Sequence, residues 1–379
     1  MRYAANNSIS GKRFSIDYLL TGSEEETRKK AEAICVEQTV EFPKDLITDN
    51  FILDNIVGKI DYFSRITDNK FKATISYAIE ITGFNLIQLL NVIFGNSSIK
   101  PDIRVQKFDL PDELLNSFKG PRFGKDGLRE LLGIPKRPLL CSATKPLGLS
   151  SQELADMTYQ YALGGIDIIK DDHGITDQVF APFEERVELC SDAVFRANQK
   201  TGHHSIYIPS VSGPVDKVVK NAYYAKKVGV GGLLVIPSLV GWDTMRMLAD
   251  DDNFGLPIMS HPSFQGFFTT CADSGFSHFA LYGQLVRLAG GDATIYPNYG
   301  GRFSFTKEEC VDIVNGSNYK MGHIKPIFPT PGGGMTLQRI PQLMEIYDRD
   351  VIYLMGGGLH RGQDLVSNCR AFREMVEKL

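Results

Sequence analysis

From Pro138 onward the chain alternates short apolar runs with longer amphipathic stretches. The apolar runs predict buried parallel strands over residues 139–143, 165–170, 205–211, 232–237, 256–261, 293–297, 324–329 and 351–355. Amphipathic stretches between them predict helices over 151–163, 183–199, 214–228, 242–250, 275–288, 307–314 and 337–347. Eight strands alternating with helices predict a (β/α)8 barrel. A doubly wound open sheet is the alternative, but polar or glycine-rich residues follow nearly every strand on the same side, which disfavours it.

The first part of the chain has a different pattern. Residues 33–42 and 71–82 are rich in β-branched and aromatic residues and predict strands, whereas 49–57 and 85–93 predict helices. Strands and helices that interleave without a regular period are typical of a small α+β domain. We therefore expect an N-terminal α+β domain of ferredoxin-like type over residues 1–132, and the barrel over residues 138–379.

Composition narrows the class of protein. The 379 residues are 43% hydrophobic and carry a net charge of −4, without a Lys/Arg-dense tract, which argues against nucleic acid as a partner. Residues 1–20 lack the apolar region of a signal peptide, and no run reaches the roughly 18 apolar residues of a membrane span. We expect a cytoplasmic protein without a membrane partner.

Six cysteines are scattered singly, without a CxxC pair. This spacing disfavours a zinc–cysteine site. Small or apolar neighbours around Cys35, Cys141 and Cys271 predict that these three are buried free thiols.

The predicted strand ends carry polar groups that a barrel would gather at one mouth. The second strand runs into Lys170-Asp171-Asp172-His173, a string that a solvated turn after a strand also explains. Lys145 follows the first strand, and a lysine held among apolar neighbours can act as a proton-transfer base. Lys170 is either a salt-bridge partner of the carboxylates or, as a carbamate, an oxygen ligand for Mg2+. His261 ends the fifth strand and points either into the mouth or into the core.

Two glycine triplets, 332–334 and 356–358, follow the seventh and eighth predicted strands. Glycines let backbone N–H groups approach an anion, and barrels commonly bind phosphate between these two loops. A tight turn explains either triplet alone. The presence of both predicts a phosphate site that includes Gly333, Gly334, Gly356 and Gly357.

Several motifs together resemble the RuBisCO large-chain superfamily, and in particular its RuBisCO-like proteins, which do not fix CO2. The resemblance covers most of the chain, and its carriers are 37–39 (EQT), 91–95 (NVIFG), 144–150 (TKPLGLS), 164–172 (GGIDIIKDD), 287–292 (RLAGGD), 331–334 (PGGG) and 355–358 (MGGG). The resemblance implies an N-terminal α+β domain before the barrel, and a homodimer whose active site lies at the subunit interface. Glu37 and Asn91 match the residues that reach across to the partner subunit.

The resemblance also implies roles at the mouth. Lys145 matches the lysine that moves protons at the substrate's enolisable carbon. Lys170 and Asp172 match ligands of Mg2+, the lysine as a carbamate, and Gly334, Gly356 and Gly357 match backbone donors to one phosphate. His261 matches a mouth histidine, and Arg302 falls where the mobile loop of RuBisCO carries a lysine.

Three departures from the family pattern matter. The metal motif ends in His173 instead of glutamate, so Mg2+ is held more weakly, a softer metal is used, or His173 is an acid–base group. Leu147 replaces a second lysine. Pro262 replaces the arginine after the fifth-strand histidine, which damages the second phosphate site. A bisphosphate carboxylase is therefore not expected.

We expect metal-assisted enolate chemistry on a small keto-sugar with one phosphate. The preferred prediction is a lyase that decarboxylates a 3-oxo-isoapionate-4-phosphate type of substrate, or a transcarboxylase/hydrolase of the same substrate, because a β-keto acid gives an enolate directly. The alternatives are a methionine-salvage enolase or isomerase acting on a methylthio-diketopentyl or methylthioribulose phosphate, and a non-catalytic protein that binds a phosphorylated ligand.

Overall fold

The computed structural model of the chain describes residues 9–303, 305–362 and 364–378. The first eight residues of the predicted N-terminal domain, and of the segment assessed for a signal peptide, lie outside this range. Contacts divide the chain into two compact units. One consists of residues 1–119, 265–284 and 320–324, and the other of residues 120–264, 285–319 and 325–379.

The strands of both units, in chain order, are β1 (Arg13–Thr21), β2 (Lys59–Thr67), β3 (Lys70–Ala78), β4 (Ile103–Asp109), β5 (Leu139–Thr144), β6 (Ile168–Asp171), β7 (Ile206–Ile208), β8 (Ser210–Val211), β9 (Leu233–Val235), β10 (Ile258–Ser260), β11 (Gly275–Phe276), β12 (Ala293–Pro297), β13 (Phe328–Gly332) and β14 (Ile352–Leu354). The helices are α1 (Glu24–Glu37), α2 (Leu86–Phe94), α3 (Asp112–Leu115), α4 (Gly124–Leu132), α5 (Ser151–Leu163), α6 (Phe183–Thr201), α7 (Val215–Val228), α8 (Pro237–Val240), α9 (Trp242–Asp250), α10 (Gly266–Thr269), α11 (Val286–Leu288), α12 (Lys307–Asn318), α13 (Ile340–Tyr347) and α14 (Leu365–Glu377). Helical segments of π type are Ile52–Ile56 and Phe279–Leu285, and those of 3-10 type are Lys44–Leu46, Ile79–Thr82, Asn96–Ile99, Leu337–Arg339 and Gly357–His360.

The first unit is built on a sheet with the strand order β11-β4-β1-β3-β2. Strand β1 is antiparallel to both β3 and β4, and β2 is antiparallel to β3. With α1 after β1 and α2 after β3, the chain order is βαββαβ, which confirms the predicted ferredoxin-like domain. Buried and partly exposed residues alternate along β1, so one face of this strand packs against the core of the unit.

One predicted strand of this unit is wrong. Residues 33–37 belong to helix α1, and the rest of the predicted strand, 38–42, forms turns instead. The helix starts at a capping box in which Ser23 and Glu26 satisfy each other's backbone N–H groups. Because this cap and the acidic first turn stabilise the helix at its start, helical structure continues through the β-branched residues that had predicted a strand.

The second unit is the predicted barrel. Its parallel strands occur in two hydrogen-bonded runs, β14-β5-β6-β7 and β13-β12-β10-β9-β8, and β13 packs beside β14. Segments β7 and β8 are the two halves of one barrel strand, interrupted at Pro209. Eight barrel strands therefore alternate with helices. Inward-facing apolar residues from all of them form one cluster: Leu139, Cys141, Ile168, Ile208, Leu234, Met259, Ile295, Phe328 and Ile352.

Two local predictions need correction. The seventh barrel strand is Phe328–Gly332 instead of 324–329, so Thr330, Pro331 and Gly332 belong to the strand and the loop begins at Gly333. Cys271 is exposed, whereas Cys35 and Cys141 are buried as expected. Within the described residues, none of the helices combines the length and apolar character that crossing a bilayer requires.

Candidate active site

Lys145 and Asp172 form an ion pair at the carboxyl ends of neighbouring strands. Lys145 follows β5 and Asp172 follows β6, and these strands pair in register so that Thr144 lies opposite Asp171. The Lys145 Nζ lies 3.3 Å from Oδ1 of Asp172. Burial alone would raise the pKa of Asp172, but the hydrogen bond with His173 and the charges of Lys145 and Lys170 hold this pKa well below its ordinary value. Asp172 is therefore a carboxylate that its hydrogen bond and the neighbouring positive charge stabilise.

Lys170 is almost fully buried, with 1% of its surface exposed, and its Nζ donates a hydrogen bond to the carbonyl of Asp171 at 3.0 Å. Burial lowers the pKa of this lysine. A lowered pKa increases the fraction of neutral amine, which is the form that reacts with CO2.

The Asp171 side chain points into the barrel wall, so it is not a candidate metal ligand. Its carboxylate accepts hydrogen bonds from the Tyr207 hydroxyl at 2.7 Å and from the backbone N–H of Ser210 at 3.0 Å. It also forms a fully buried ion pair with Arg186 at 3.2 Å. These contacts explain why only the second aspartate of the string faces the site.

Arg186 was not identified from the sequence, although a signal for it was present. It lies on α6 between Phe183 and Cys190, at the helical spacing of the buried face. A charged residue within an apolar stripe indicates a buried partner of opposite charge.

His173 and His261 stack on each other beside Asp172. Their ring centroids are 4.5 Å apart and their planes differ by 14°. The His173 Nδ1 lies 3.6 Å from Oδ1 of Asp172. The Nδ1 of His261 accepts a hydrogen bond from the backbone N–H of Ser263 at 3.2 Å. Burial, then the charges of Lys170 and His173, lower the pKa of His261 well below its ordinary value. His261 is therefore a neutral imidazole with its hydrogen on Nε2.

The two glycine loops lie side by side. A Cβ on Gly358 would be 2.8 Å from the carbonyl oxygen of Met335, so the loop after β14 touches the loop after β13. Gly333 and Gly334 both have φ of +78°, a conformation that favours glycine. A Cβ on Gly356 would lie 3.2 Å from Cε and 3.4 Å from Nζ of Lys145. The second predicted phosphate loop therefore lies next to the predicted base.

Arg302 lies in the loop after β12, next to the first glycine loop. A Cβ on Gly334 would lie 2.9 Å from Cα of Gly301 and 3.3 Å from the backbone N of Arg302. The Arg302 guanidinium lies 4.9 Å from the ring centroid of Phe303, whose ring also approaches Gly333. The structure thus places an arginine beside the glycines that are candidates for phosphate binding.

The barrel residues predicted for the site therefore form one continuous set of contacts, from Arg302 through the glycine loops to Lys145, Asp172 and the histidine pair. Glu37 and Asn91 lie in the other unit. There, buried Gln38 donates hydrogen bonds to the carbonyls of Asn91 and Val92, both at 3.0 Å, and so brings the ends of α1 and α2 together. Glu37 forms an ion pair with Lys100 at 3.1 Å.

The side chains at the mouth supply few of the roughly six oxygen ligands that Mg2+ requires. No group of three His, Cys, Asp or Glu side chains able to hold a metal occurs in the part of the chain that the structure describes. The unmodified residues at the mouth offer one carboxylate, Asp172, and two imidazoles. They do not fit Mg2+ unless Lys170 is converted to a carbamate.

Comparison with known proteins places the chain in a family. Residues 125–368 match the catalytic domain of the ribulose bisphosphate carboxylase large chain. The chain is 38% identical to 5-methylthioribulose-1-phosphate isomerase of Rhodospirillum rubrum, over 88% of each chain. It is 30% identical to 2,3-diketo-5-methylthiopentyl-1-phosphate enolase of Bacillus pumilus, over 95% of this chain and 91% of that one. The crystal structure of a Rubisco-like protein from Rhodopseudomonas palustris matches with a TM-score of 0.88 and 35% identity, over 97% of this chain and 98% of that one. The chain therefore belongs to the RuBisCO large-chain family, and within it to the RuBisCO-like proteins.

Proposed function

We propose that the chain is an isomerase that moves a proton on 5-methylthioribulose 1-phosphate or a closely similar methylthio keto-sugar with one phosphate. The observation that carries the proposal is the position of Lys145, whose amine contacts Asp172 and lies 3.4 Å from the point that a Cβ on Gly356 of a glycine loop would occupy. A base beside a phosphate-binding loop is what enolisation of a phosphorylated ketose requires. The similarity to an isomerase of this substrate supports the choice.

In this mechanism Lys145, in its neutral form, takes a proton from the carbon next to the substrate carbonyl. The amine donates a hydrogen bond to Oδ1 of Asp172 at 3.3 Å, a bond that the neutral amine can also make, so it is held in place before the substrate arrives. The same lysine then returns the proton to the former carbonyl carbon, while the hydroxyl proton of the neighbouring carbon passes to the former carbonyl oxygen. The carbonyl and hydroxyl groups thereby exchange places without loss of atoms.

His261 stabilises the enolate oxygen. Because its Nδ1 accepts from Ser263, its Nε2 carries the hydrogen and can donate to a developing negative charge. The stacked ring of His173 restricts the orientation of His261.

The proposed substrate has a phosphate at one end and an apolar methylthio group at the other, and the two sides of the proposed site differ in the same way. The phosphate would bind at Gly333, Gly334, Gly356 and Gly357, with Arg302 beside them. After β10, in contrast, the chain continues with Pro262 and with Phe264, which is 61% exposed and has φ of +62°. An aromatic ring held in this unfavourable conformation suits an apolar methylthio end better than a second phosphate.

The enolase reaction is the second candidate, because the Bacillus pumilus enolase aligns over 95% of this chain. It requires the same proton abstraction by Lys145, on a diketone in place of a ketose. Decarboxylation of a 3-oxo-isoapionate-4-phosphate type of substrate, the preferred prediction from sequence, has no support among these relatives.

Metal assistance depends on Lys170. Its buried amine with a lowered pKa favours reaction with CO2, and a carbamate would add oxygen donors to Asp172, with His173 as the third ligand. When bound there, Mg2+ would polarise the substrate's carbonyl oxygen. The steps given above for Lys145 and His261 do not depend on it.

We also propose a homodimer in which Glu37 and Asn91 complete the partner's site. Asn91 is exposed, and Gln38 holds it close to Glu37 by hydrogen bonds to the adjacent backbone. Two polar residues presented together on adjacent helix ends suit contact with a polar ligand in another subunit.

The test is turnover of 5-methylthioribulose 1-phosphate in D2O, followed by NMR for product and for deuterium at the enolised carbon. Replacing the base by Lys145→Met should lower turnover about 10²–10⁴-fold. Lys220→Met, which alters a lysine paired with Glu184 on the barrel exterior, should match the wild type. Wild-type protein that leaves this substrate unchanged, or Lys145→Met that turns it over normally, would refute the proposal. The methylthio-diketone phosphate, assayed in parallel, distinguishes the enolase.

A further inference from the structure

The Tyr161–His360 pair lies beneath the second glycine loop. Tyr161 is a fully buried residue of α5, and His360 ends the helical turn Gly357–His360 after β14. The Tyr161 Oη lies 2.6 Å from Nε2 of His360, and the two rings are perpendicular at a centroid separation of 5.8 Å. Burial raises the pKa of the Tyr161 phenol, and burial followed by the charge of Lys145 lowers the pKa of His360. Both side chains are therefore neutral at pH 7.

The hydroxyl of Tyr161 also contacts the first barrel strand. It lies 3.3 Å from the carbonyl oxygen of Ala143, to which it donates. Ala143 precedes Lys145 by two residues on the same strand end. Because a hydroxyl has one hydrogen, the bond to Ala143 makes the Tyr161 oxygen the acceptor from His360 Nε2–H.

These contacts link the glycine loop to the strand that carries the proposed base. Lys145 lies next to Gly356 at one end of the glycine loop, so that a Cβ there would come within 3.4 Å of its amine. His360 at the other end of the loop reaches Tyr161, and Tyr161 returns to the strand that carries Lys145. The loop is thus bonded at its far end to the strand that carries Lys145, and its near end lies beside that lysine.

We propose that Tyr161 and His360 are positioning residues that hold the Gly356–Gly358 loop at the distance from Lys145 at which one substrate engages both. The inference rests on the proposed function, because it assigns phosphate to this loop. Neither side chain touches the reacting atoms. Their role is to couple phosphate binding to the position of the amine, so the substrate's phosphate enters a loop already aligned with the base.

The experiment measures the inhibition constant or dissociation constant of inorganic phosphate, and kcat and KM separately, for Tyr161→Phe, His360→Leu and the double variant. Loss of the single hydrogen bond should raise the constant for phosphate and KM about tenfold while kcat falls less than about threefold. The double variant should be no worse than Tyr161→Phe alone, because that variant already removes the bond to His360 together with the bond to Ala143. His360→Gln, which keeps an N–H donor, should recover part of the affinity.

Ser205→Ala is the matched control. The Ser205 hydroxyl donates to the carbonyl of Ile166 at 2.7 Å, and it is a buried hydrogen bond at the opposite end of the barrel strands. This variant should lower thermal stability without changing the phosphate constant. Phosphate constants of Tyr161→Phe and His360→Leu equal to the wild type, or a wild type that does not bind phosphate, would overturn the inference. Phosphate binding that weakens as expected in a protein inactive on methylthioribulose phosphate would support the inference and refute only the proposed substrate.

Discussion

Lys145 and Asp172, which follow adjacent strands of the barrel, face each other at 3.3 Å, and the same carboxylate oxygen lies 3.6 Å from His173. One carboxylate therefore sets the positions of two different side chains at the mouth. Because Lys145 donates to this carboxylate and neighbouring positive charge lowers its pKa, folding stabilises its negative charge.

Asp172→Asn tests this stabilisation through pH. The pKa of Asp172 is lower in the folded chain than its ordinary value of 3.8, so the unfolded chain binds the proton more tightly. The charge thus contributes stability above about pH 4, and this contribution is lost as pH falls through the folded pKa. We expect the variant to be less stable than the wild type by about 1–2 kcal/mol at neutral pH, with the difference shrinking below about pH 4. Urea unfolding at several pH values measures it, and a difference that grows on acidification would contradict the assignment.

Alanine substitutions at Gly356 and Gly357 should distinguish an effect on the base from an effect on phosphate binding. A Cβ on Gly356 would press on the Lys145 amine at 3.2–3.4 Å, whereas a Cβ on Gly357 meets nothing within 4 Å. Gly356→Ala should therefore lower kcat, by up to about 10²-fold if the amine moves by 1 Å. Gly357→Ala should mainly raise KM, because its methyl group enters the open space proposed for phosphate. Identical kinetic effects of the two variants would contradict the assignment of Gly356 to the side of the loop that faces the lysine and of Gly357 to the side that binds phosphate.

The buried pair of Arg186 and Asp171 should dominate the stability of the barrel wall. Arg186→Met leaves a fully buried carboxylate without its ion-pair partner and should cost about 3–5 kcal/mol in the free energy of unfolding. The matched control lies on the same helix, where Arg196→Met removes an exposed pair with Asp192 and should cost less than about 1 kcal/mol. Chemical denaturation compares the two, and equal costs would argue against a buried role for Arg186.

Divalent metal binding should require bicarbonate. The unmodified donors do not form a Mg2+ site, and only a carbamate on Lys170 adds the missing oxygens. We expect Mn2+, used as a spectroscopic probe, to bind in the presence of bicarbonate and not in its absence, and 13C-labelled bicarbonate to give a carbamate signal. Lys170→Arg should abolish both observations. Metal binding that is independent of bicarbonate would instead assign the site to Asp172 and the histidines alone.

The sequence predicted the barrel well because buried parallel strands are continuous apolar runs. It failed at residues 33–42, where a capping box at Ser23 and Glu26 extends a helix through a stretch with strand-like composition. The sequence also placed the seventh strand too early, because Pro329 and Pro331 are unfavourable in the interior of a sheet. The segment nevertheless pairs with β12 as a parallel strand.

Within the site, the residue types at the strand ends were predictable and their partners were not. Lys145, Asp172 and the glycine triplets follow strands, and parallel strands bring such positions together. In contrast, Tyr161 and His360 are far apart in sequence and meet only because α5 packs beneath the loop after β14. No local pattern encodes a contact between a helix interior and a distant loop.

The interruption of the third barrel strand at Pro209 has a consequence for the two adjacent aspartates. The main-chain N–H of Ser210, just past this break, is bonded to the side chain of Asp171, while the carbonyl of Pro209 still serves β9 through Leu234. The Asp171 carboxylate thus takes the place of a strand carbonyl as the acceptor for the N–H of Ser210. Of the two neighbouring acids, Asp171 therefore stabilises the barrel wall and Asp172 faces the proposed active site. A substitution of Pro209 would alter the surroundings of Asp171 without changing a residue of the barrel mouth.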